Sequence, residues 1–166
     1  IMTTGAVSGE LAADGYPRIY HTSHYVSGSK PAADPREVEK AVRLLLEAER
    51  PVVIAGNGVH AAKAYAELQE LAELLAMPVA TTTLGKSAFP ESHPLAVGIV
   101  GTFGERVGNR EVSRADVVLV VGSALSPVDT CSENPELIDP ARQKIIHVEI
   151  DPRNAGWIFP VEAGLI

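Results

Sequence analysis

Residues 50–59, with the sequence RPVVIAGNGV, constrain the fold of this chain more than any other stretch. Pro51 ends the preceding element, the four apolar residues after it predict a short buried strand, and residues 56–58 predict a tight turn. A long helical pattern starts at Ala61, because apolar residues follow the i, i+3, i+4, i+7 spacing as far as Leu75. The turn has the form G-x-G-x-x-A, and such a turn can direct backbone N–H groups towards a phosphate. The stretch therefore predicts an α/β domain of the nucleotide-binding type.

Size and charge exclude several classes of protein. A chain of 166 residues is long enough for one domain with its own core. The net charge of −7 argues against nucleic acid as the main partner. The densest apolar run, at residues 117–121, is too short for a membrane span, and the N-terminus does not resemble a signal peptide. The single cysteine, Cys131, suits a reducing compartment, so a soluble, cytoplasmic protein is expected.

The N-terminal part differs in composition from the rest. Residues 1–33 show no regular period and are predicted to form a linker or surface extension, whereas residues 34–166 are predicted to form the domain. His21 and His24 are predicted to be loop histidines, because no further ligand stands at the spacing of a zinc site. Both ends of the chain suggest a domain taken from a longer polypeptide.

Strands and helices alternate along the rest of the chain. A helix is predicted to start at Asp34, an N-cap followed by Pro35 and, three residues after the cap, by Glu37. Further strands are predicted at 79–83, 95–100, 117–121, 144–150 and 161–165, and further helices at 103–114 and 152–157. Thr102 and Glu105 have capping-box spacing at the first of these helices. The alternation predicts an α/β fold, a Rossmann-like parallel sheet of about six strands with helices on both faces.

The candidate site lies where the predicted strands end, because ligands of open α/β sheets bind at the carboxyl ends of strands. The candidate cofactor-binding residues are Gly56, Asn57, Gly58, Thr82, Leu84, Gly101, Thr102, Gly122, Ser123, Glu149 and Ile150. They combine small residues, hydroxyls and one carboxylate, which suits a phosphate-containing adenine ligand. No nucleophile–base pair or metal cage accompanies them, so no catalytic or metal-binding residue is predicted.

Several of these residues also have a structural explanation. Turn geometry alone accounts for Gly56, Gly58 and Gly122. Glu149 is explained equally well as a solvated residue at the end of a strand and as a contact to ribose. Other polar residues are expected to be structural: Asp151 as the N-cap of the helix at 152–157, His147 as a hydrogen-bonded core residue, and His60 as a residue that faces water.

Five stretches in this order and spacing carry a resemblance to a known family: residues 50–58, 78–86, 97–104, 115–122 and 145–152. They resemble the central domain of thiamine-diphosphate-dependent enzymes of the acetolactate synthase and pyruvate decarboxylase type. The resemblance implies a DHS-like NAD/FAD-binding fold within a 2-keto acid decarboxylase or carboligase. It also implies flanking pyrimidine- and diphosphate-binding domains that hold thiamine diphosphate and Mg²⁺, in a homodimer or homotetramer. This chain alone is then expected to be inert and to serve as a scaffold.

The resemblance further implies FAD or ADP as a ligand, and one departure disfavours FAD. The FAD-binding branch resembles Gly-x-Arg-Phe-Asp after its central strand, whereas residues 122–126 here are GSALS. Loss of a cation beside a diphosphate removes a contact worth about 1.5–3 kcal/mol, or roughly tenfold or more in affinity.

Two alternatives stay open at this point. One is a free-standing dinucleotide-binding module of the transhydrogenase or electron-transfer-flavoprotein type. Against it, residues 81–83 are all Thr where a dehydrogenase carries an acidic residue for the ribose. The other is a purely structural interaction domain.

Overall fold

The computed structural model describes His21 and residues 31–166. Its helices are α1 (Pro35–Glu47), α2 (Asn57–Ala62), α3 (Tyr65–Leu74) and α4 (Arg106–Arg114). Its strands are β1 (Pro51–Ala55), β2 (Val79–Thr81), β3 (Ala96–Ile99), β4 (Val117–Val121), β5 (Lys144–Val148) and β6 (Ala163–Leu165). The predicted extension over residues 1–33 falls almost entirely outside the described residues, as does His24. No helix in the described ranges is long and apolar enough to cross a membrane.

The six strands form one sheet in which every pair is parallel. Their order is β3-β2-β1-β4-β5-β6. The chain builds outward from β1 to β3, then crosses back and builds outward from β4 to β6, so the order reverses between β1 and β4. This arrangement confirms the predicted Rossmann-like parallel sheet.

Alternate residues of the central strands feed two apolar cores, one on each face of the sheet. In β1, Val53 and Ala55 pack in the core that α1, α2 and α3 cover, while Val52 and Ile54 pack in the core that α4 covers. Successive side chains of a strand point to opposite faces, so a strand covered on both faces is apolar throughout. The helices lie on both faces, as predicted.

The start of α1 agrees with its sequence pattern except at one residue. Asp34 is the N-cap and accepts a hydrogen bond from the Arg36 backbone N–H at 2.9 Å, and Pro35 occupies the first helical position. Glu37 does not complete a capping box. Its carboxylate instead accepts from the Gly164 backbone N–H at 3.4 Å, so α1 is joined to the edge strand β6.

The predicted long helix from Ala61 is wrong in its start and in its continuity. Helix α2 begins at Asn57, directly after Gly56, and ends at Ala62. Its C-cap, Lys63, is in the left-handed conformation with φ 57°. The Lys63 N–H bonds to the His60 carbonyl at 3.2 Å and closes the helix. A second helix, α3, then starts at Tyr65.

Two further helix predictions are wrong in detail. Residues 152–157 form successive turns instead of a helix, and Gly156, with φ 74°, ends them. Asp151 therefore caps a turn and not a helix, accepting from the Arg153 N–H at 3.0 Å. Helix α4 starts at Arg106 and not at 103, because the Thr102 N–H is held by the Val128 carbonyl at 2.7 Å and no capping box forms.

Several strands are shorter than predicted, because pairing ends where the neighbouring strand ends. Strand β2 stops at Thr81, opposite the last residue of β1, and β5 stops at Val148, opposite Leu165. Strands β3 and β6 likewise lose one or two residues at their ends relative to the predicted ranges.

Asp116 connects the amino ends of β1 and β4. Its carboxylate accepts from the Glu49 N–H at 2.7 Å and from the Arg50 N–H at 2.9 Å, so it holds the turn between α1 and β1. Burial raises the pKa of Asp116, but the backbone N–H donors outweigh burial and lower the pKa below its ordinary value.

His147 lies near the carboxyl end of β5 and is buried, as predicted. Its Nε2–H donates to the Ser123 carbonyl at 2.7 Å. Burial lowers the pKa of His147, and the hydrogen bond to Ser123 and the nearby Glu149 carboxylate only partly oppose it. The ring is therefore held neutral at the carboxyl end of β4.

The turns that follow β1 and β4 are in close backbone contact. Gly122 has φ 62°, and a Cβ on it would lie 2.6 Å from the Gly58 Cα. The Gly58 N–H donates to the Gly122 carbonyl at 2.9 Å, and the Gly56 N–H donates to the Val121 carbonyl at 2.8 Å. Gly58 and Gly122 are therefore required so that the two backbones can touch.

Substitution of three glycines by alanine should separate crowding from backbone strain. Gly122→Ala should cost about 2–5 kcal/mol, because it adds a steric clash to a left-handed backbone. Gly156→Ala should cost only about 1–2 kcal/mol, since its φ is positive but its nearest neighbour is 3.6 Å away. At Gly164 an added Cβ would have space and the backbone φ is not in the left-handed region. Gly164→Ala should therefore change stability by about 1 kcal/mol or less. Urea unfolding measures all three, and equal values for Gly122→Ala and Gly156→Ala would contradict the contact.

Asp116→Asn should destabilise the fold by about 1.5–3 kcal/mol at pH 7, because the bonds to the Glu49 and Arg50 N–H groups lose their charge. The wild-type contribution is present above the unfolded-state pKa of about 3.9 and is lost as the pH falls through the lower folded-state pKa. Urea unfolding at pH 7 and pH 3 should therefore show a smaller difference between variant and wild type at pH 3. Glu133→Gln, on an exposed turn, is the control and should change stability by less than about 0.5 kcal/mol.

His147 should make stability depend on pH on the acid side of neutrality. Its folded-state pKa is lowered, so its contribution is complete above the unfolded-state pKa of about 6.5 and is lost as the pH falls through the folded-state pKa. His147→Gln keeps a donor for the Ser123 carbonyl but does not titrate. The free energy of unfolding, measured by urea at pH 7.5 and pH 5.5, should fall less in this variant than in wild type. Equal decreases would show that the neutral ring is not required.

Candidate functional site

The candidate residues lie together at the carboxyl ends of the strands, because all six strands run in the same direction. We call this side of the sheet its carboxyl edge. Each follows the carboxyl end of a strand, and the turns after β1 and β4 occupy the point where the strand order reverses. In open α/β sheets this is the position at which nucleotide ligands bind. The carboxyl edge is therefore a candidate site by topology. A ligand can contact only those of its polar groups that face outward.

The glycine turn after β1 directs much of its hydrogen bonding into the protein. The Gly56 and Gly58 N–H groups both bond to the end of β4, and the Val59 N–H bonds to the Gly56 carbonyl at 3.2 Å. Gly56 is buried, whereas Asn57 is exposed at the outer corner of the turn. Asn57 is thus the member of the turn that meets solvent most fully.

The segment after β2 combines an inward hydroxyl with an outward apolar side chain. Thr82 is buried, and its Oγ1 accepts from the Gly85 N–H at 3.0 Å. Leu84, in contrast, is 76% exposed. The backbone at Gly85 rests on the end of β1, since a Cβ there would lie 2.8 Å from the Gly56 Cα.

The segment after β3 is held by a residue that sequence reasoning missed. Asn109 of α4 accepts from the Gly101 N–H at 2.8 Å and donates to the Gly101 carbonyl at 3.1 Å. Gly101 is buried, while Thr102 and Phe103 are exposed. An amide side chain eight residues after a glycine carries no recognisable sequence signal, because the pairing depends on where α4 packs.

The segment after β4 uses its polar atoms internally. The Ser123 Oγ accepts from the Leu125 N–H at 3.1 Å, and the Ser123 carbonyl accepts from His147. Ser123 is buried. Gly122 and Ser123 therefore shape the edge and offer few polar atoms to a ligand.

The segment after β5 presents a fixed carboxylate beside an apolar side chain. The Glu149 Oε1 accepts from the Ile150 N–H at 2.8 Å and from the Asp151 N–H at 3.2 Å. Ile150 is 74% exposed. The next carboxylate is paired: hydrogen bonds from the Arg153 guanidinium, and then from the Arg153 backbone N–H, lower the pKa of Asp151 to about 2.

Elsewhere in the described part of the chain, the residues that could take part in chemistry stand apart from one another. Within His21 and residues 31–166, no three His, Cys, Asp or Glu side chains come together as a metal site would require. Cys131 is a free, partly buried thiol in the long loop after β4. His60 does not simply face water, because both of its ring nitrogens make hydrogen bonds.

A cavity of about 590 Å³ opens at the opposite, amino edge of the sheet. Leu46, Arg50, Leu75 and Arg114 are among its lining residues. It contains none of the candidate site residues. Because helices α1, α3 and α4 all end there, it is bounded by helix C-termini, which do not favour a phosphate.

Comparison with known proteins connects this geometry to one family. Residues 38–166 match the family model described as the central domain of thiamine pyrophosphate enzymes. The probable acetolactate synthase large subunit of Methanocaldococcus jannaschii is 39% identical over 150 residues, which cover 89% of this chain and 24% of that protein. Glyoxylate carboligase of Escherichia coli O157:H7 is 38% identical over 138 residues, covering 82% and 23%. Sulfoacetaldehyde acetyltransferase of Roseovarius nubinhibens is 37% identical over 157 residues, covering 90% and 26%.

The chain thus spans about a quarter of the length of these relatives. A free-standing dinucleotide-binding module and a purely structural interaction domain are not favoured by these matches. The strand order, the glycine turns at the reversal point and the match over residues 38–166 agree with one another. The chain belongs to the thiamine pyrophosphate enzyme family and is its central domain.

Proposed function

We propose that this chain is the non-catalytic middle of a larger 2-keto acid decarboxylase or carboligase, in which it spaces two cofactor-binding domains. The observation that carries the proposal is the central-domain match over residues 38–166 in a chain that covers only about a quarter of its relatives. The names of the relatives, which include acetolactate synthases, a glyoxylate carboligase and sulfoacetaldehyde acetyltransferases, support a lyase or transferase reaction.

The described residues of this chain do not fit Mg²⁺, the metal that accompanies thiamine diphosphate. Magnesium takes oxygen ligands, chiefly carboxylates together with phosphate oxygens. The described part of the chain brings no such group of acidic side chains together. We therefore assign thiamine diphosphate, Mg²⁺ and the reaction itself to flanking pyrimidine- and diphosphate-binding domains.

An adenine nucleotide fits the carboxyl edge of the sheet better than a flavin. Leu84 and Ile150 offer exposed apolar surface to a base, and Glu149 offers a fixed carboxylate to ribose hydroxyls. We propose that the complete site consists of Gly56, Asn57, Gly58, Thr82, Leu84, Gly101, Thr102, Gly122, Ser123, Glu149 and Ile150. The backbone N–H groups of Gly56 and Gly58 are engaged by β4, and residues 124–126 carry no cation, so the contact with a diphosphate is weak. Both ADP and FAD carry a diphosphate, so the proposed ligand is held mainly by its adenine and ribose. ADP makes these contacts, whereas FAD is disfavoured by the missing cation, because the Arg of the FAD-binding branch reaches the flavin nucleotide.

The remaining proposals concern assembly and location. We propose a homodimeric or homotetrameric parent enzyme, by analogy with the family resemblance. The single cysteine supports a reducing compartment, the cytoplasm.

Ligand-induced thermal shifts test the nucleotide site. At a concentration of 100 times its Kd, ADP should stabilise the chain by about 2.7 kcal/mol, which corresponds to a rise in Tm of roughly 5–10 °C. FAD should give a smaller rise. Glu149→Gln should reduce the shift with ADP, because the ribose contact loses its charge, whereas the control Glu136→Gln, on an exposed turn, should not change it.

Two results would reject parts of this proposal separately. If ADP, CoA, FAD and NADPH all leave the Tm unchanged, the nucleotide site is rejected and the scaffold role stays. If the chain alone releases CO₂ from pyruvate in the presence of thiamine diphosphate and Mg²⁺, the scaffold role is rejected.

A further inference from the structure

His60, in α2, uses both nitrogens of its ring. Nε2 lies 2.9 Å from the Lys86 carbonyl oxygen, and Nδ1 lies 3.1 Å from the Tyr65 hydroxyl oxygen. A carbonyl oxygen can only accept, so Nε2 carries the hydrogen. In the neutral ring Nδ1 then accepts the hydroxyl hydrogen of Tyr65. The two rings also meet edge to face, with centroids 5.6 Å apart.

These bonds join three separate segments of the chain. Lys63 ends α2 in the left-handed conformation, and Tyr65 is the first residue of α3, so the His60–Tyr65 contact spans the break between the helices. The bond to Lys86 reaches the loop after β2. His60 therefore links α2, α3 and this loop.

The loop is attached to the rest of the domain on both sides of Leu84. On the N-terminal side the Thr82 N–H donates to the carbonyl of Ala55, the last residue of β1, at 2.9 Å. On the C-terminal side the backbone at Gly85 rests on the end of β1, and the Lys86 carbonyl is held by His60. The Lys86 ammonium pairs with Glu91, which belongs to the same connection between β2 and β3, so that ion pair does not attach the loop to a helix.

We propose that His60 is a positioning residue that holds the loop at residues 82–86 over the glycine turn after β1, and so places Leu84 at the candidate site. The role of Leu84 towards a ligand rests on the adenine-nucleotide site proposed above. The role of His60 in placing the loop does not depend on that ligand.

Amide hydrogen exchange in the free chain tests the role of His60 directly. His60→Phe keeps an aromatic ring beside Tyr65 but removes both hydrogen bonds. The Gly85 and Ala88 N–H groups, which bond to Thr82 and Gly85 within this loop, should then exchange roughly threefold to tenfold faster. The N–H groups of Val118 and Val120 in β4 report global opening and should exchange at the wild-type rate.

Two more variants keep the test decisive. Tyr65→Phe removes only the bond to Nδ1 and introduces no new side chain in α2, so it applies even where His60→Phe does not fold. It should accelerate exchange of the same loop amides by roughly twofold. Arg43→Leu removes an exposed hydrogen bond of 2.6 Å to Glu39 within α1 and is the control, with loop exchange at the wild-type rate.

The outcomes separate this inference from the proposed ligand. Faster exchange confined to the loop supports the positioning role. Unchanged loop exchange in His60→Phe, or equal acceleration in β4, overturns it. In titration calorimetry with ADP, a threefold to tenfold weaker Kd for His60→Phe supports the link from loop to ligand. A wild-type chain that does not bind ADP rejects the nucleotide site, while the exchange data still decide the role of His60.

Discussion

The direct backbone contact between Gly58 and Gly122 is the constraint on which the rest of the domain depends. It occurs where the sheet reverses its strand order, so it joins the half built from β1 to β3 with the half built from β4 to β6. Any side chain at either position would separate the two turns. The hydrogen bonds from Gly56 and Gly58 to the end of β4 form only at this short distance. Packing alone thus requires glycine at positions 58 and 122, whether or not a ligand binds.

This contact also limits how a ligand could bind. In a dinucleotide-binding turn, the backbone N–H groups after the first strand face a phosphate. Here two of them are satisfied by β4, and the outward candidates include Asn57, Thr102 and the apolar side chains of Leu84 and Ile150. Such an edge suits recognition of a base and ribose more than of a diphosphate. It also agrees with the proposal that this central domain holds its neighbouring domains at a set distance.

The elements that sequence reasoning predicted well are those with a strong local cause. The apolar run at residues 117–121 became the central strand β4, and the Asp34–Pro35 start became the start of α1. The break after α2 was missed, because Lys63 adopts a left-handed conformation that non-glycine residues seldom adopt. Asn109 and His60 were missed as organisers of the edge, since each acts on a segment that is distant in sequence.

The amino-acid sequence alone predicted the alternation of strands and helices, and hence a parallel sheet with the candidate residues at the carboxyl ends of its strands. It could do so because apolar periodicity and capping act over a few residues. Which of those residues face outward depends on how the segments pack against one another. The partners of Gly58, Ser123 and Thr102 come from neighbouring segments, and whether a backbone N–H is free or engaged depends on that packing. The same glycine pattern is therefore compatible with a phosphate-binding turn and with a turn packed against its neighbour. The position of β4 determines which of the two forms.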